Sequence, residues 1–363
     1  MKRVILHLTG MHSLKYGGVE RYLLELAKSS ARHGYRTIIQ YESYPRSTAY
    51  VQELTDAGCE LVILETGSSV MKSTLSVVGL IRSIKPEIIQ THFVRGYIYI
   101  LLPLLARLVG TRKLLALIHS VQDNRRAWRR FALNHFDQII GVSRGVVASL
   151  LAIKTKPEIV SHHYLGLFGE RTRSQKDRES FRNMLGIPRN AIVIACIAFD
   201  SPIKGVDILL DAFAEISKQF PLAHLLSIGI DPLQSSLPRV AEHLGIGKCT
   251  HWAGLLDEGW KYLNAADLYV QPSRSEAISF AVMEAMSLRL PVIATRVGGL
   301  PEIVVENETG YLVAPTPLAL AEVLRATLRR QQEWKTLGEA AFLRYRTHFK
   351  GESSVQAFVE TYY

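Results

Sequence analysis

Along this chain, apolar runs of strand length alternate with amphipathic runs of helix length from one end to the other. "VILHLTG" leads into "GGVERYLLELAKSSARHG", whose apolar residues Val19, Tyr22, Leu23, Leu26 and Ala27 recur at helical spacing before Gly34 ends the run. "RTIIQYE", "CELVILE", "PEIIQTH", "KLLALIHS" and "FDQIIGVS" read as further strands, with "YVQELTDAG" and "STLSVVGLIRSIK" as helices among them. Such βα alternation predicts a parallel sheet covered on both faces, a doubly wound domain over residues 1–168. Residues 169–183, "GERTRSQKDRESFRN", are polar, carry no strand signal and are expected to connect two domains. The alternation then restarts with "AIVIACIA" and "VDILLDAFAEISKQF" and runs on to "LPVIATR" and "TGYLVAP", so residues 169–344 should form a second domain of the same kind. The predicted class is α/β, two doubly wound Rossmann-like domains. Their parallel sheets would face across a deep cleft lined by the carboxyl ends of the strands, where such folds bind ligands.

Length agrees with this division, because 363 residues, 48% hydrophobic and 21% charged, exceed what one core normally fills. The opening "MKRVILHLTG" has too short an apolar run for a secretory leader. The longest apolar run, Gly96 to Ala106, is shorter than the roughly 20 residues that span a bilayer. Cys59, Cys196 and Cys249 are far apart and lack C-x-x-C spacing, which indicates neither a disulfide framework nor a zinc site. A reduced, cytoplasmic protein is expected. The net charge of +10 is unevenly spread: residues 1–168 hold 22 Lys/Arg against 11 Asp/Glu, and residues 169–363 hold 21 against 22. The first half should therefore meet something anionic, such as a membrane surface, a phosphorylated lipid or a nucleic acid. Its densest cluster, Arg125 and Arg126 with Arg129 and Arg130 around Trp128, is open to a second reading as a solvated helix face. No recognised nucleic-acid-binding motif accompanies it, and no nucleic-acid partner is expected.

The stretch "SEAISFAVMEA" places Glu276 and Glu284 eight positions apart in an apolar run. On one regular helix they would point about 80° apart and lie about 12 Å apart along the axis, too far to serve one small point. A helix starting near Ser279, a good N-cap residue, leaves Glu276 in the preceding loop and puts Glu284 about a turn inside. The amide groups from Ser279 through Phe280 and Ala281 to Val282 then face a natural phosphate site, flanked by Ala277 and Ile278. Carboxylates accept paired hydroxyls, so the arrangement suits a nucleotide-sugar, with Glu276 on the sugar and Glu284 on the ribose. The alternative is a pair of surface ion-pair formers.

Residues 272–313, "PSRSEAISFAVMEAMSLRLPVIATRVGGLPEIVVENETGYLV", resemble the donor-binding segment of glycosyltransferase family 4, the group 1 glycosyl transferases with the GT-B fold. The matches are Pro272-Ser273, Glu276 and Glu284, Pro291-Val292, Gly298-Gly299 with Glu302, and Asn307 with Gly310. "YGGVERYLLELA" resembles the family's first glycine-rich turn, which implies that Gly17 and Gly18 let the backbone approach the donor. The resemblance further implies that His119 contacts the donor sugar near the reacting carbon, that His92 lies nearer the acceptor, and that Lys204 of "SPIKGVDILLDAF" meets the diphosphate. Arg125 and Arg126 are assigned to the acceptor side. "RTHFKGESSVQAFVETYY" is similar to the helix that crosses back onto the first domain, expected at about residues 345–363.

Two departures stand out. Where family members carry Gly-Arg-Leu before Lys-Gly, this chain has Ala198-Phe199-Asp200, so either another cation assists Lys204, with Arg274 and Arg296 as sequence-near candidates, or the leaving group is less well stabilised. The usual Gly-Phe-Gly after the first glutamate is Ala277-Ile278-Ser279. No D-x-D occurs, so no metal or other cofactor is expected, and Lys204 with the helix N-terminus would meet the leaving charge. The resemblance implies a retaining, metal-independent hexosyltransferase using a nucleotide-sugar, UDP-sugar before GDP-sugar, on a glycan or lipid-linked acceptor, with a peripheral membrane contact. The alternatives are a nucleotide-sugar 2-epimerase of the same fold and a non-catalytic nucleotide-sugar-binding protein.

Overall fold

The computed structural model describes residues 3–64, 70–93, 98–121 and 127–362. By contacts, the chain divides into two compact units, Met1–Phe168 with Gly351–Tyr363, and Gly169–Lys350. No helix among the described residues is long and apolar enough to cross a membrane.

In the first unit, the strands are β1 (Arg3–Leu8), β2 (Tyr35–Tyr41), β3 (Glu60–Ile63), β4 (Ile88–Thr91), β5 (Lys113–Ile118), β6 (Gln138–Gly141) and β7 (Val160–His162). They form one sheet in the order β3-β2-β1-β4-β5-β6-β7, with all pairs parallel. The reversal of strand order lies between β1 and β4, where His7 pairs in register with Gln90. On one face, the helix Gly18–Arg32 packs Leu23, Leu24 and Ala27 against Ile39 and Tyr41, and the hydroxyls of Tyr41 and Tyr50 meet at 2.7 Å inside this core. The short β7 has no apolar run to announce it in the sequence.

The second unit has strands β8 (Ile192–Ile197), β9 (Ala223–Ile228), β10 (Thr250–Trp252), β11 (Leu268–Gln271), β12 (Val292–Thr295) and β13 (Gly310–Val313). These form a second all-parallel sheet, ordered β10-β9-β8-β11-β12-β13, with its reversal between β8 and β11. The amphipathic helix Val206–Ser217 buries Leu209, Leu210 and Phe213 against this sheet. Both units are thus Rossmann-like and α/β.

Two boundaries differ from the sequence reading. The polar stretch taken as a connection contains a helix, Gln175–Met184, held by ions instead of apolar periodicity. Arg178 and Arg182 each reach an oxygen of Asp267, at 2.7 and 2.8 Å, and Arg182 also donates to the Ala265 carbonyl at 3.0 Å. The C-terminal return begins at Gly351, later than the expected 345, because the helix Trp334–His348 buries Leu337, Ala341 and Tyr345 in the second unit. From there, the helix Gly351–Glu360 sets Phe358 edge-on to Tyr22 of the first unit, and the buried Tyr362 hydroxyl donates to Gln90 Oε1 at 2.6 Å.

Candidate functional site

In the second unit the chemistry gathers at the carboxyl ends of β8, β11 and β12. After β11 the chain leaves the sheet through Pro272-Ser273, and Glu276 sits in the loop before the helix Phe280–Ser287. Ser279 caps that helix by accepting from Val282 N at 3.3 Å. Phe280 and Ala281 are then the amides of the first turn with no backbone acceptor among the described residues, at the positive end of the helix. Glu284 lies one turn inside.

Two glycines hold the Glu276 loop in place. Gly298 has φ +53°, and a Cβ there would stand 1.6 Å from the Glu276 carbonyl oxygen; the next residue, Gly299, donates its N–H to the same oxygen at 2.9 Å. Gly205 has φ +66°, and its Cβ would stand 2.1 Å from the Pro272 carbonyl oxygen. Any side chain at either position is strained in the left-handed region and collides with rigid backbone. Gly205 follows Lys204, whose Nζ lies 2.8 Å from Glu276 Oε2, and Ser273 Oγ donates to the same carboxylate oxygen at 3.2 Å. Below it, the Tyr269 hydroxyl donates to Gln271 Oε1 at 2.7 Å, and Gln271 Nε2 donates to Ser273 Oγ at 2.9 Å. Glu276 is 9% exposed, so its orientation is fixed by this buried network and by one lysine.

The two sequence-near arginines are already engaged. Arg274 binds Asp207 and the Pro202 carbonyl, each at 2.7 Å through Nη1, and its own amide donates to the Ile203 carbonyl at 2.8 Å. It fastens the Lys204 turn to the Glu276 loop, and holds the Asp207 carboxyl below the usual range. Arg296 is paired with Glu306. The sequence reading passed over Arg171, which with a side chain 10% exposed lies 3.8 Å from Glu284 Oε1 and has its guanidinium 4.9 Å above the Trp260 ring. It comes from the polar stretch read as a connection, where a basic residue among many gives no signal.

In the first unit, parallel pairing brings three histidines into a row. His7 lies on β1, His92 directly follows β4, and His119 directly follows β5. His7 Nδ1 meets His92 Nε2 at 3.2 Å, and His92 Nδ1 meets His119 Nε2 at 3.3 Å. His119 is half-buried and stacked on Phe93, with ring centroids 4.2 Å apart. Burial pushes His7 and His119 down to about 3, and holds His92, between two other rings, well below its ordinary value. All three are neutral at pH 7. His92 is 3% exposed and engaged at both ring nitrogens, which leaves His119 as the half-exposed end of the row. His7 had no mark in the sequence beyond its place in a strand.

The glycine-rich turn is organised by a buried carboxylate. Glu20, 5% exposed in the first turn of the helix Gly18–Arg32, accepts from Gly17 N at 3.1 Å and Ser13 Oγ at 3.0 Å. Burial raises its carboxyl above the usual value. Gly17 and Gly18 therefore begin a helix whose amide end is partly taken by the chain's own acid. Arg125 and Arg126 lie outside the described residues. Among the described residues, no group of three or more His, Cys, Asp or Glu is placed to hold a metal ion.

Comparison with known proteins gives matches to both units. Residues 16–166 match the description "Glycosyltransferase Family 4", and residues 177–344 match "Glycosyl transferases group 1". The D-inositol 3-phosphate glycosyltransferase of Corynebacterium glutamicum is 33% identical over 227 residues, 55% of this chain and 54% of that protein. The N-acetyl-alpha-D-glucosaminyl L-malate synthase of Bacillus anthracis is 26% identical over 236 residues, 64% of this chain and 61% of that protein. The chain thus spans little more than half the length of these curated relatives. Among solved structures, Anabaena HepE in complex with UDP-glucose superposes with a TM-score of 0.82 at 21% identity, covering 99% of this chain and 98% of that one. With family matches on each of its two Rossmann-like units, the chain belongs to the glycosyltransferases of family 4, the group 1 glycosyl transferases of the GT-B fold.

Proposed function

We propose that this chain transfers a hexose-type sugar from a nucleotide-sugar to a glycan or lipid-linked acceptor, in polysaccharide or glycolipid assembly. The observation that carries this reading is the Lys204–Glu276 pair at 2.8 Å, at the switch point of the second sheet and beside the start of the helix that carries Glu284. A diphosphate is a doubly charged group that needs a cation and oriented amides, and Lys204 with the Phe280 and Ala281 N–H groups supplies both. Glu276 accepts sugar hydroxyls, and Glu284 accepts the ribose hydroxyls with Arg171 beside it. We assign UDP-sugars as the first donor class and GDP-sugars as the second, in keeping with the UDP-glucose complex of HepE.

Transfer is metal-independent and retaining in this reading. The acceptor oxygen forms a bond to the anomeric carbon on the face from which the nucleotide departs. The carbon–phosphate-oxygen bond breaks with its electron pair going to the nucleotide, and the acceptor's proton passes to the departing phosphate oxygen. Lys204 and the helix N-terminus stabilise the negative charge that develops there. The first unit is assigned acceptor recognition, and His119, at the open end of the histidine row, is its group for the reacting sugar. Incubation of the chain with UDP-glucose, UDP-N-acetylglucosamine and GDP-mannose in EDTA tests the reading. Release of UDP or GDP by the parent, reduced by orders of magnitude in Glu276→Ala, supports it. Equal release by parent and variant contradicts it.

A further inference from the structure

Three helices of the first unit, Val70–Ile84, Ile98–Leu108 and Ala127–Leu133, pack side by side. Together they carry five Lys/Arg and no Asp or Glu. The wider stretch 66–136 holds eleven Lys/Arg against two Asp/Glu. The middle helix is amphipathic with an unusual outer side. Leu102, Leu105 and Ala106 are buried, while Leu101, Leu104 and Leu108 are 41%, 61% and 71% exposed and recur at helical spacing. Arg107 stands exposed among them. On the neighbouring helix Phe131 is 61% exposed, directly after the exposed Arg130. In the second unit, by contrast, the most exposed large apolar residues stand singly, Leu233 in a turn and Leu318 and Leu343 on two different helices. Single exposed leucines are ordinary, whereas a stripe of them edged by arginines is a docking surface.

We propose that this face rests on an anionic lipid bilayer. Leu101, Leu104, Leu108 and Phe131 enter the boundary between headgroups and acyl chains, and Arg107 and Arg130 meet lipid phosphates at the level of the interface. Arginine suits that level because its stem lies along apolar surface while its guanidinium stays wet. Charge decides among occupants. Nucleic acid would satisfy the arginines and leave three leucines in water, and a protein partner would need a dense acidic surface around an apolar groove. An anionic bilayer supplies negative charge and an apolar layer in one plane. The inference does not depend on the donor chemistry, since none of these residues belongs to the donor site.

The test is sedimentation of the whole chain with vesicles of phosphatidylcholine alone and of phosphatidylcholine with phosphatidylglycerol, at low and high salt. The account expects binding to the mixed vesicles, little to phosphatidylcholine alone, and weaker binding at high salt. Leu104→Asp with Leu108→Asp should weaken binding at least tenfold, and Arg107→Glu with Arg130→Glu should weaken it and flatten the salt dependence. Both double variants should keep the circular dichroism spectrum and thermal transition of the parent, which shows that they are folded. Parent-like vesicle binding by the folded leucine variant would overturn the proposal. So would failure of the parent to bind mixed vesicles, whether or not it binds duplex DNA or associates with itself.

Discussion

At the switch point of the second sheet stand a lysine and a carboxylate 2.8 Å apart; at that of the first stand two histidines whose ring nitrogens are 3.2 Å apart. Both pairs sit where neighbouring parallel strands run apart and leave a crevice. Their electrostatics are opposite. The second unit carries almost no net charge, yet its site is ionic. The first is strongly basic, yet its site is three neutral rings kept neutral by burial. Net charge and site charge are therefore separate properties. An ionic site suits a diphosphate, whereas a neutral row can hold a hydroxyl without trapping an anion. The excess of positive charge in the first unit is available for a surface role.

The comparison breaks most visibly through the ionic pair. Glu276→Ala and Lys204→Ala should each lower turnover by about a thousandfold, about 4 kcal/mol of transition-state stabilisation, with both units still folded by circular dichroism. An undiminished rate in either variant would leave the pair as an ordinary ion pair. Next comes the loop that holds Glu276. Gly298→Ala should destabilise the second unit by about 2 kcal/mol or more, because it adds a left-handed strain of about 1–2 kcal/mol to a collision with the Glu276 carbonyl. Hydrogen exchange should show β11 and β12 opening more readily while β1 and β4 are unchanged.

The neutral row predicts a pH dependence of the first unit's strands, separate from that of the partly buried His224–His251 pair in the second unit, which burial also lowers. In the unfolded chain these histidines titrate near 6.5, while in the folded unit His7 and His119 are pushed down to about 3. Between those values the unfolded state binds more protons, so the stability is fully present above about 6.5 and is lost as pH falls toward 3. Each ring steepens the loss by up to about 1.4 kcal/mol per pH unit. Exchange protection of β1, β4 and β5, corrected for intrinsic rates, should fall between pH 7 and 5, and less steeply in His7→Phe. A loss just as steep in that variant would mean that the row does not set it. The smallest effect concerns the cation beside Glu284: Arg171→Ala should weaken nucleotide binding about tenfold, about 1.4 kcal/mol. Arg296→Ala, whose partner is Glu306, should change it little.

The corner around Glu276 was legible in the sequence to the extent that it is contiguous. Glu276, Ser279 and Glu284 lie within nine residues, and an N-cap serine with helical spacing places them without any tertiary information. Lys204 was reached through its Lys-Gly turn, but the reason for the glycine, the nearby Pro272 carbonyl, is a tertiary contact. Arg171, Arg178 and Arg182 were hidden because ionic anchoring leaves no periodicity to read. The histidine row was half visible: His92 and His119 end their strands, and His7 joins them only because strand order sets β1 beside β4. That order is fixed by the whole sheet.

Calorimetric titration of the chain with UDP, GDP and ADP in the absence of metal tests the central claim most directly, with Glu284→Ala beside the parent. The account predicts micromolar binding of one nucleotide, UDP first, weakened about tenfold or more in the variant. Failure of all three nucleotides to bind the folded parent, or equal binding by parent and Glu284→Ala, would contradict it.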